Sequence, residues 1–272
     1  MPQQTDILDL MNDYKSKGEP FALATVVRTV SVTAAKAGAK AVILADGTIT
    51  EGWIGGGCAR GAVLKAAREA LADGQSRLVS IQPDDQLSEH RVKPGDVREG
   101  VLYAKNMCPS QGTMDVFVEP VLPRPNLLIC GASPVAVALA DLARRMGFFI
   151  TICAPAADHA VFAEADRLIE GYALPEDGSE RDYVVIATQG RGDSAALKAA
   201  VQVPTKYLAF VGSRKKAAAL KVDLEEAGIP AVQLEHIRAP AGLDIGAITP
   251  DEIAFSIVAE MIEIRRRGQR TL

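Results

Sequence analysis

Aromatic residues, cysteines and long apolar runs are scarce in this chain of 272 residues, and each scarcity excludes a class of protein. Phe, Trp and Tyr together make up 5%, which argues against a surface that stacks on nucleic-acid bases. The four cysteines form no CxxC pair, and they are too few and too scattered for a disulfide framework. No apolar run reaches the roughly 18 residues that a membrane-spanning helix needs, so no membrane span is expected.

The charge balance also narrows the possible functions. The chain has 30 Lys and Arg against 34 Asp and Glu, a net charge of −4, whereas a general nucleic-acid binder needs a basic surface. The first residues are polar and lack a basic segment before an apolar one, so no signal peptide is expected. We therefore expect a folded, cytoplasmic protein without a nucleic-acid partner.

Three prolines close together predict the domain boundary. Pro120, Pro123 and Pro125 fit neither a helix interior nor a central strand. The predicted domains are 1–122 and 126–272. The first reads as a smaller α+β domain, with a long polar connection over 83–106 and with helices or strands over 6–16, 21–29, 41–45, 48–53, 58–73, 77–81 and 113–118.

The second domain alternates apolar strands with amphipathic helices. Its four clearest strands are predicted over 126–130, 148–153, 183–187 and 207–211. This alternation is typical of an α/β fold, a Rossmann-like parallel sheet with helices on both faces. The last helix is predicted to begin after Thr249, because Glu252 completes a capping box with that residue.

Two cysteines lie in glycine-containing turns. Gly55, Gly56 and Gly57 precede Cys58 where a strand gives way to a helix, and a helix start favours anions and thiolates. Cys58 is a candidate soft ligand or nucleophile, although a tight turn with a small buried cysteine is the alternative. Cys108, in the constrained turn 107–112, is a second candidate, and a buried structural cysteine is again the alternative.

The predicted Rossmann turn departs from the dinucleotide fingerprint. Gly131, Ala132 and Ser133 occupy the phosphate-binding position, but Ser133 and Ala136 replace the second and third glycines. The ribose-binding acid is missing after the second strand, where 153–155 reads Cys-Ala-Pro. Ordinary NAD binding is therefore not expected.

Two further turns are candidate ligand sites at the same sheet edge. Gly212, Ser213, Arg214 and Lys215 could form a phosphate cradle, because cations at a helix start are unfavourable without an anion; a solvated basic face is the alternative. Thr188 and Gly190 lie in a second loop at a strand end, in which Asp193 is interpreted as a helix cap. The three histidines have no metal-ligand spacing, so no metal site is predicted.

Several stretches resemble one known family, the XdhC/CoxI-type xanthine dehydrogenase accessory proteins. They run in order along nearly the whole chain and include 24–29, 38–40, 55–60, 115–120, 212–216, 239–247 and 249–254. The most specific is Gly-Leu-Asp-Ile-Gly-Ala at 242–247, followed by Thr-Pro-Asp-Glu-Ile-Ala. Four departures, at Arg60, 108–112, 133–134 and 154–155, indicate a divergent member.

The resemblance implies a maturation factor rather than a turnover enzyme. Such a protein would bind molybdenum cofactor in its dinucleotide form and assist its sulfuration or insertion into a xanthine- or carbon-monoxide-dehydrogenase-type hydroxylase. The implied partners are the apo-hydroxylase and a sulfur donor, and a homo-oligomer is expected. The alternative is FAD, in an FAD-binding accessory protein or an FAD- or NAD(P)-dependent oxidoreductase.

The resemblance also implies a division of labour between the halves. Cys58 and its glycines, Gly55 to Gly57, would lie at the site that handles the cofactor, and the Rossmann-like half would hold its nucleotide portion. Cys108 is a second candidate on the basis of its turn alone. We predict a cleft between the halves, with Asp244 near it unless that residue only stabilises its own loop.

Overall fold

The protein is represented by a computed structural model, which describes residues 6–109, 111–174 and 182–267. The chain divides into two compact units, Met1–Pro123 and Arg124–Leu272. The predicted α/β class is confirmed, and each unit has its own sheet and its own core. Among the helices in the described ranges, none is both long and apolar enough to cross a membrane.

The N-terminal unit is a mixed sheet packed on a long helix. Its strands pair in the order β3-β2-β1-β7-β4-β6-β5. The elements are α1 (Ile7–Lys17), β1 (Phe21–Val30), β2 (Lys40–Leu44), β3 (Ile49–Gly52), α2 (Gly57–Asp73), β4 (Arg77–Gln82), α3 (Asp84–Glu89), β5 (Val97–Arg98), β6 (Val101–Lys105) and β7 (Thr113–Val121). The core lies between α2 and the alternate strand residues that face it, such as Ala24, Val79 and Val116.

Local signals set the ends of the first helices. The Asp6 carboxylate accepts a hydrogen bond from the Leu8 amide at 3.0 Å and so caps the start of α1. Helix α2 ends at Gly74, whose φ of 71° is in the left-handed region that glycine adopts without strain. The same local chemistry closes the β2–β3 hairpin at Gly47, where φ is 89°.

The segment 83–106, predicted from the sequence only as a long polar connection, contains regular secondary structure. It contains α3, β5 and β6, and β6 extends the sheet by pairing parallel with β4. Each of its elements has at most six residues, which is too few for an apolar period to show. The parallel pairing with β4 supplies the ordering that the local sequence does not.

The proline boundary also needs one correction, because Pro120 lies inside β7 and pairs with Ala22 of β1. Proline is excluded from a strand that is paired on both sides, since it has no N–H to donate. The pairing of β4 with β7 reaches only Arg77 opposite Val118. At Pro120 the strand therefore has a ladder partner on one side alone, and the proline is tolerated.

The C-terminal unit is a doubly wound parallel sheet. All five of its strand pairs are parallel, in the order β10-β9-β8-β11-β12-β13. The elements are β8 (Asn126–Cys130), α4 (Pro134–Arg145), β9 (Phe149–Ala154), a 3-10 helix (Ala156–Val161), β10 (Arg167–Glu170), β11 (Tyr183–Ile186), α5 (Asp193–Ala200), β12 (Tyr207–Phe210), α6 (Arg214–Glu226), α7 (Ala231–Glu235), β13 (Ile237–Arg238) and α8 (Pro250–Arg266).

Helices cover both faces of this sheet, as predicted. Leu127 and Ile129 of β8 pack with α4 and α8 on one face. Leu128 and Cys130, the alternate residues of the same strand, pack with α5, α6 and α7 on the other. The sequence did not predict β10, β13 or α7, because each has at most five residues and too few for a period to show.

Candidate functional site

The turns after β8 and β11 meet at the point where the sheet order reverses. These strands are neighbours, although β9 and β10 separate them in sequence. Gly131 has a φ of 110°, and a Cβ built there would lie 2.6 Å from the Ala187 carbonyl oxygen. Only glycine fits this approach of two backbones. Open parallel sheets bind ligands at such a switch point, beyond the carboxyl ends of the strands.

A small cavity of about 30 Å³ lies at this edge, with room for about one water molecule. Three of its lining residues, Ala132, Ser133 and Thr188, belong to the site predicted from the sequence. Gln189 and Arg191 lie in the predicted loop that contains Thr188 and Gly190, although neither was itself assigned to the site. Sequence reasoning missed Asp158 and Tyr172, which follow β9 and β10.

Ser133 connects the cavity to the start of α4. Its hydroxyl oxygen accepts a hydrogen bond from the Ala136 amide at 3.2 Å and so caps the helix. The oxygen is an acceptor in this bond, so the hydroxyl hydrogen remains to be donated. A helix start with such a donor favours an anionic group.

An ion pair lies across the same cavity. Arg191 Nη2 is 2.9 Å from Asp158 Oδ2, and the Tyr172 hydroxyl donates a hydrogen bond to the Arg191 carbonyl. Strand β9 ends at Ala154 and Pro155 follows, so no acidic residue lies at the strand end, as the sequence indicates. The carboxylate comes from Asp158 in the 3-10 helix that follows β9, rather than from the end of the strand itself.

Asp193 is not the helix cap interpreted from the sequence. Gly192 takes the cap position of α5, and the buried Asp193 carboxylate accepts hydrogen bonds from the Thr188 hydroxyl and, at 3.0 Å, from the Gly190 amide. It also forms an ion pair with Lys216. Burial works to raise the pKa of Asp193, but the bonds from Lys216, Thr188 and Gly190 outweigh it, and the pKa is lowered. The stability from this depressed pKa is present above the ordinary range and lost on acidification through the folded pKa.

This ion pair engages Lys216, the residue that follows the predicted phosphate cradle at the start of α6. Ser213 caps the helix by accepting from the Lys216 amide at 3.2 Å. Gly212 leaves room for the Phe210 ring, which a Cβ would approach within 2.4 Å. Lys216 forms its ion pair with Asp193. Arg214 and Lys215 are exposed and form no ion pair within the described part of the chain. These two cations are the ones available to an anion.

The alternative interpretation of Asp244 was that it only stabilises its own loop, and its contacts do not support this. The loop is fixed by the Gly242 amide, which donates to Glu260 Oε2 at 3.0 Å, and by the Leu243 amide, which donates to the Ser256 carbonyl at 3.2 Å. Asp244 is exposed and forms no hydrogen bond to any other described residue. Its loop follows β13 and so lies at the carboxyl edge of the sheet.

The buried carboxylate of Glu260 was missed by sequence reasoning. It accepts a hydrogen bond from the Tyr207 hydroxyl at 2.7 Å and contacts Arg238 Nη1 at 2.7 Å. Burial and Glu260 raise the pKa of Tyr207, so the phenol stays a donor. A glutamate in an amphipathic helix is ordinarily solvent-exposed, and nothing in its spacing indicates these partners.

In the N-terminal unit, the two cysteine-bearing turns lie at the same end. A Cβ on Gly55 would contact Ala34 at 3.8 Å, and a Cβ on Gly112 would lie 2.2 Å from the Val32 carbonyl oxygen. Residues 32–34 thus adjoin both turns. Gly56 takes the cap position of α2, Gly57 is its first residue and Cys58 lies in its first turn; Cys108 is exposed. The structure therefore brings the two turns to one region.

Asn106 holds the Cys108 turn and was also missed. Its side chain donates to the Gly112 carbonyl at 2.6 Å and accepts from the Cys108 amide at 2.9 Å. The Asn106 amide in turn donates to the Gln82 carbonyl at 2.7 Å. The turn is therefore tied to the centre of the sheet rather than left free.

A chain of polar side chains crosses the sheet beneath this turn. Arg28 and Ser80 donate to the two oxygens of Asp115, each at 2.6 Å, and Gln82 donates to the Ser80 hydroxyl at 2.8 Å. His90 Nδ1 completes the chain at 2.9 Å from Gln82 Oε1. No group of three or more metal-ligating side chains forms within 6–109, 111–174 and 182–267.

Two cysteines of the C-terminal unit are expected to be inert. Cys130 and Cys153 are paired neighbours on β8 and β9, both fully buried. The hydrogen bond with Cys153 and burial raise the pKa of the Cys130 thiol well above its ordinary value. Since the thiolate is the nucleophile, we expect neither residue to react with iodoacetamide at pH 8 in the folded protein. Peptide mass spectrometry after labelling, with and without urea, measures this; rapid native labelling of either would contradict it.

Comparison with known proteins places these sites in a family. Residues 127–261 match the family model of the XdhC Rossmann domain, and residues 15–82 match that of the XdhC and CoxI family. The chain belongs to the XdhC and CoxI family. The resemblance inferred from the sequence is thus confirmed, and the switch-point cavity lies within the matched XdhC Rossmann domain.

The chain is also similar to individual known proteins. The protein YqeB of Escherichia coli K12 is 29% identical over 257 residues, which cover 92% of this chain and 44% of YqeB. A protein of Bacillus subtilis 168, named as a probable xanthine dehydrogenase subunit, is 33% identical over 165 residues, 57% of this chain and 47% of that protein. The chain thus spans less than half the length of these relatives. A crystal structure from Bacillus halodurans, named a xanthine dehydrogenase, covers 96% of both chains at 20% identity with a TM-score of 0.48.

Proposed function

We propose that this XdhC-family chain is a maturation factor for a molybdenum hydroxylase of the xanthine dehydrogenase type. The observation that carries the proposal is the match of both units to models of one family, over 15–82 and 127–261. The Bacillus subtilis relative, whose name assigns it to xanthine dehydrogenase, supports this class of client. In this proposal molybdenum cofactor is cargo that the chain binds and hands on.

The residues at the switch-point edge fit the nucleotide end of such a cargo. Ser133 supplies a hydroxyl at the start of α4, and Arg214 and Lys215 supply exposed cations in the first turn of α6. Charge-assisted hydrogen bonds of this kind are the ones that hold phosphate. A cavity of about 30 Å³ cannot enclose a nucleotide, so the cargo would lie over the edge and displace the Arg191 side chain.

The two cysteine-bearing turns support a role for the N-terminal unit in handling the cofactor or its sulfur. They adjoin through residues 32–34, and Cys108 is exposed. The buried thiols of Cys130 and Cys153 are unsuited to that role. We therefore assign the contact with a sulfur donor to Cys58 and Cys108. That both units hold one ligand remains a prediction.

The deciding experiment identifies the ligand and the activity together. The protein is purified without added cofactor, its bound small molecule is released and identified by absorption and mass spectrometry, and the holo form is mixed with apo-hydroxylase. Release of a molybdopterin and activation of the client support the proposal. In the same assay, Cys58→Ser is expected to lower activation without changing the far-ultraviolet circular dichroism.

The alternative of an FAD-binding accessory protein is tested by the same release step. The carboxylate of Asp158 in the cavity favours some ribose-containing ligand, and FAD contains one. A released flavin with no pterin and no activation of any apo-hydroxylase would overturn the maturation proposal and favour this alternative.

Arg214 gives a direct test of the phosphate site. We expect Arg214→Ala to weaken binding of ADP, used as the probe, by about 1.5 kcal/mol, because one charge-assisted hydrogen bond to phosphate is lost. Isothermal titration calorimetry measures the change. The matched control is Arg145→Ala, an exposed cation in the last turn of α4, away from the carboxyl edge of the sheet. Equal affinities in the Arg214 variant and the control would remove Arg214 from the site.

A further inference from the structure

The backbone that carries the Asp158 carboxylate is fixed at the edge of the cavity. The Asp158 amide donates to the Pro155 carbonyl at 2.8 Å. The next residue, His159, places its Nε2 at 2.9 Å from the Ala154 carbonyl and 3.2 Å from the Ile169 carbonyl. The 3-10 helix that carries Asp158 is thus tied to the ends of β9 and β10.

The side chain of Arg191, which pairs with Asp158, is more exposed than that of Asp158. The side chain of Arg191 is 69% exposed and that of Asp158 is 24% exposed. The Tyr172 hydroxyl holds the Arg191 backbone, and within the part of the chain that the structure describes a single ion pair holds its guanidinium. Exposed ion pairs contribute little to stability, so the guanidinium can leave Asp158 at small cost.

A ribose can replace this guanidinium chemically. Its 2′- and 3′-hydroxyls are two adjacent donors, and a carboxylate accepts two such bonds as it accepts an arginine fork. In doubly wound folds an acidic residue beyond the second strand of the unit accepts the ribose hydroxyls, and Asp158 follows β9, the second strand of this unit.

We propose that Asp158 reads the ribose of the bound nucleotide and so sets the ligand class to ribonucleotides with a free 2′-hydroxyl. A 2′-deoxyribose would leave one carboxylate bond unmade. The inference rests on the proposed function only in requiring that a nucleotide binds at this edge.

The experiment compares ribose with deoxyribose on matched variants. ADP, GDP and CDP are titrated calorimetrically into the full chain, and the tightest is compared with its 2′-deoxy form. We expect the deoxy form to bind about tenfold more weakly to the parent protein, since a hydrogen bond to a charged group is lost. Asp158→Asn is expected to reduce this preference to about twofold or less. Asp141→Asn, an exposed aspartate on α4, serves as the control and should keep the full preference.

The outcomes separate this inference from the proposed function. Binding of nucleotides without a ribose preference, or a preference that Asp158→Asn retains, overturns the assignment of Asp158 and leaves the nucleotide site standing. If none of the nucleotides binds at millimolar concentration, both the assignment of Asp158 and the proposed nucleotide site are overturned. Urea midpoints within error of the parent confirm that Asp158→Asn is folded when these affinities are read.

Discussion

Glu260→Ala is expected to lower the free energy of unfolding by about 3 kcal/mol, because the change removes the shared acceptor of three groups. The Tyr207 hydroxyl would be left buried without its partner, and the Gly242 amide would lose the bond that fixes its loop. Arg238 is less affected, since its side chain is 42% exposed and water can solvate it. The loss is therefore dominated by the buried Tyr207 hydroxyl, with a smaller part from the partly buried Gly242 amide.

The matched control for this prediction is Glu263→Ala, an exposed glutamate on the same helix. A surface substitution of this kind changes stability by about 0.5 kcal/mol or less. Urea unfolding followed by far-ultraviolet circular dichroism measures both variants. If the two unfold at the same urea concentration, the Glu260 network does not stabilise the fold.

Elements with strong local signals could be predicted from the sequence. Helix α2 shows helical spacing and ends at Gly74, and α8 begins with the capping box of Thr249 and Glu252, which the structure contains. The strands that line the centre of the C-terminal sheet are apolar runs bounded by turns. In each case the information lies within one short stretch of chain.

The elements that were missed depend on partners distant in sequence. Strand β6 is ordered by its pairing with β4, and β13 by its pairing with β12. Pro120 is tolerated because β4 begins opposite Val118, a fact of register that no local pattern reveals. Tertiary contacts override weak local preference in all three.

The candidate site was predicted only as far as its turns. Gly131, Ser133 and Thr188 follow predicted strands, so the parallel topology alone places them at one edge. Asp158 and Arg191 were missed because they meet across 33 residues of chain, and because Asp158 lies in a short 3-10 helix rather than at the strand end. The polar chain from Arg28 to His90 was missed for the same reason, since its members lie singly in different elements.

Gly131→Ala is expected to destabilise the C-terminal unit by about 3 kcal/mol or more, because two penalties act together. A φ of 110° is strained for any residue with a side chain, and the added Cβ would lie 2.6 Å from the Ala187 carbonyl oxygen and from Thr188 Cα. Both are backbone atoms, so no side chain can move aside, and β8 and β11 would have to separate at the switch point. The cavity between Ser133 and Thr188 would be distorted, and nucleotide binding lost with it.

Gly147→Ala isolates the strain from the clash. Gly147 also has a positive φ, 81°, but a Cβ there would meet no atom within 4 Å. This variant should therefore lose only about 1 kcal/mol, the cost of the left-handed conformation. Urea unfolding of both variants, with calorimetric titration of ADP beside it, gives the comparison. If Gly131→Ala and Gly147→Ala lose the same stability, the turns after β8 and β11 do not approach each other closely at Gly131. The described geometry of the switch-point site would then be wrong.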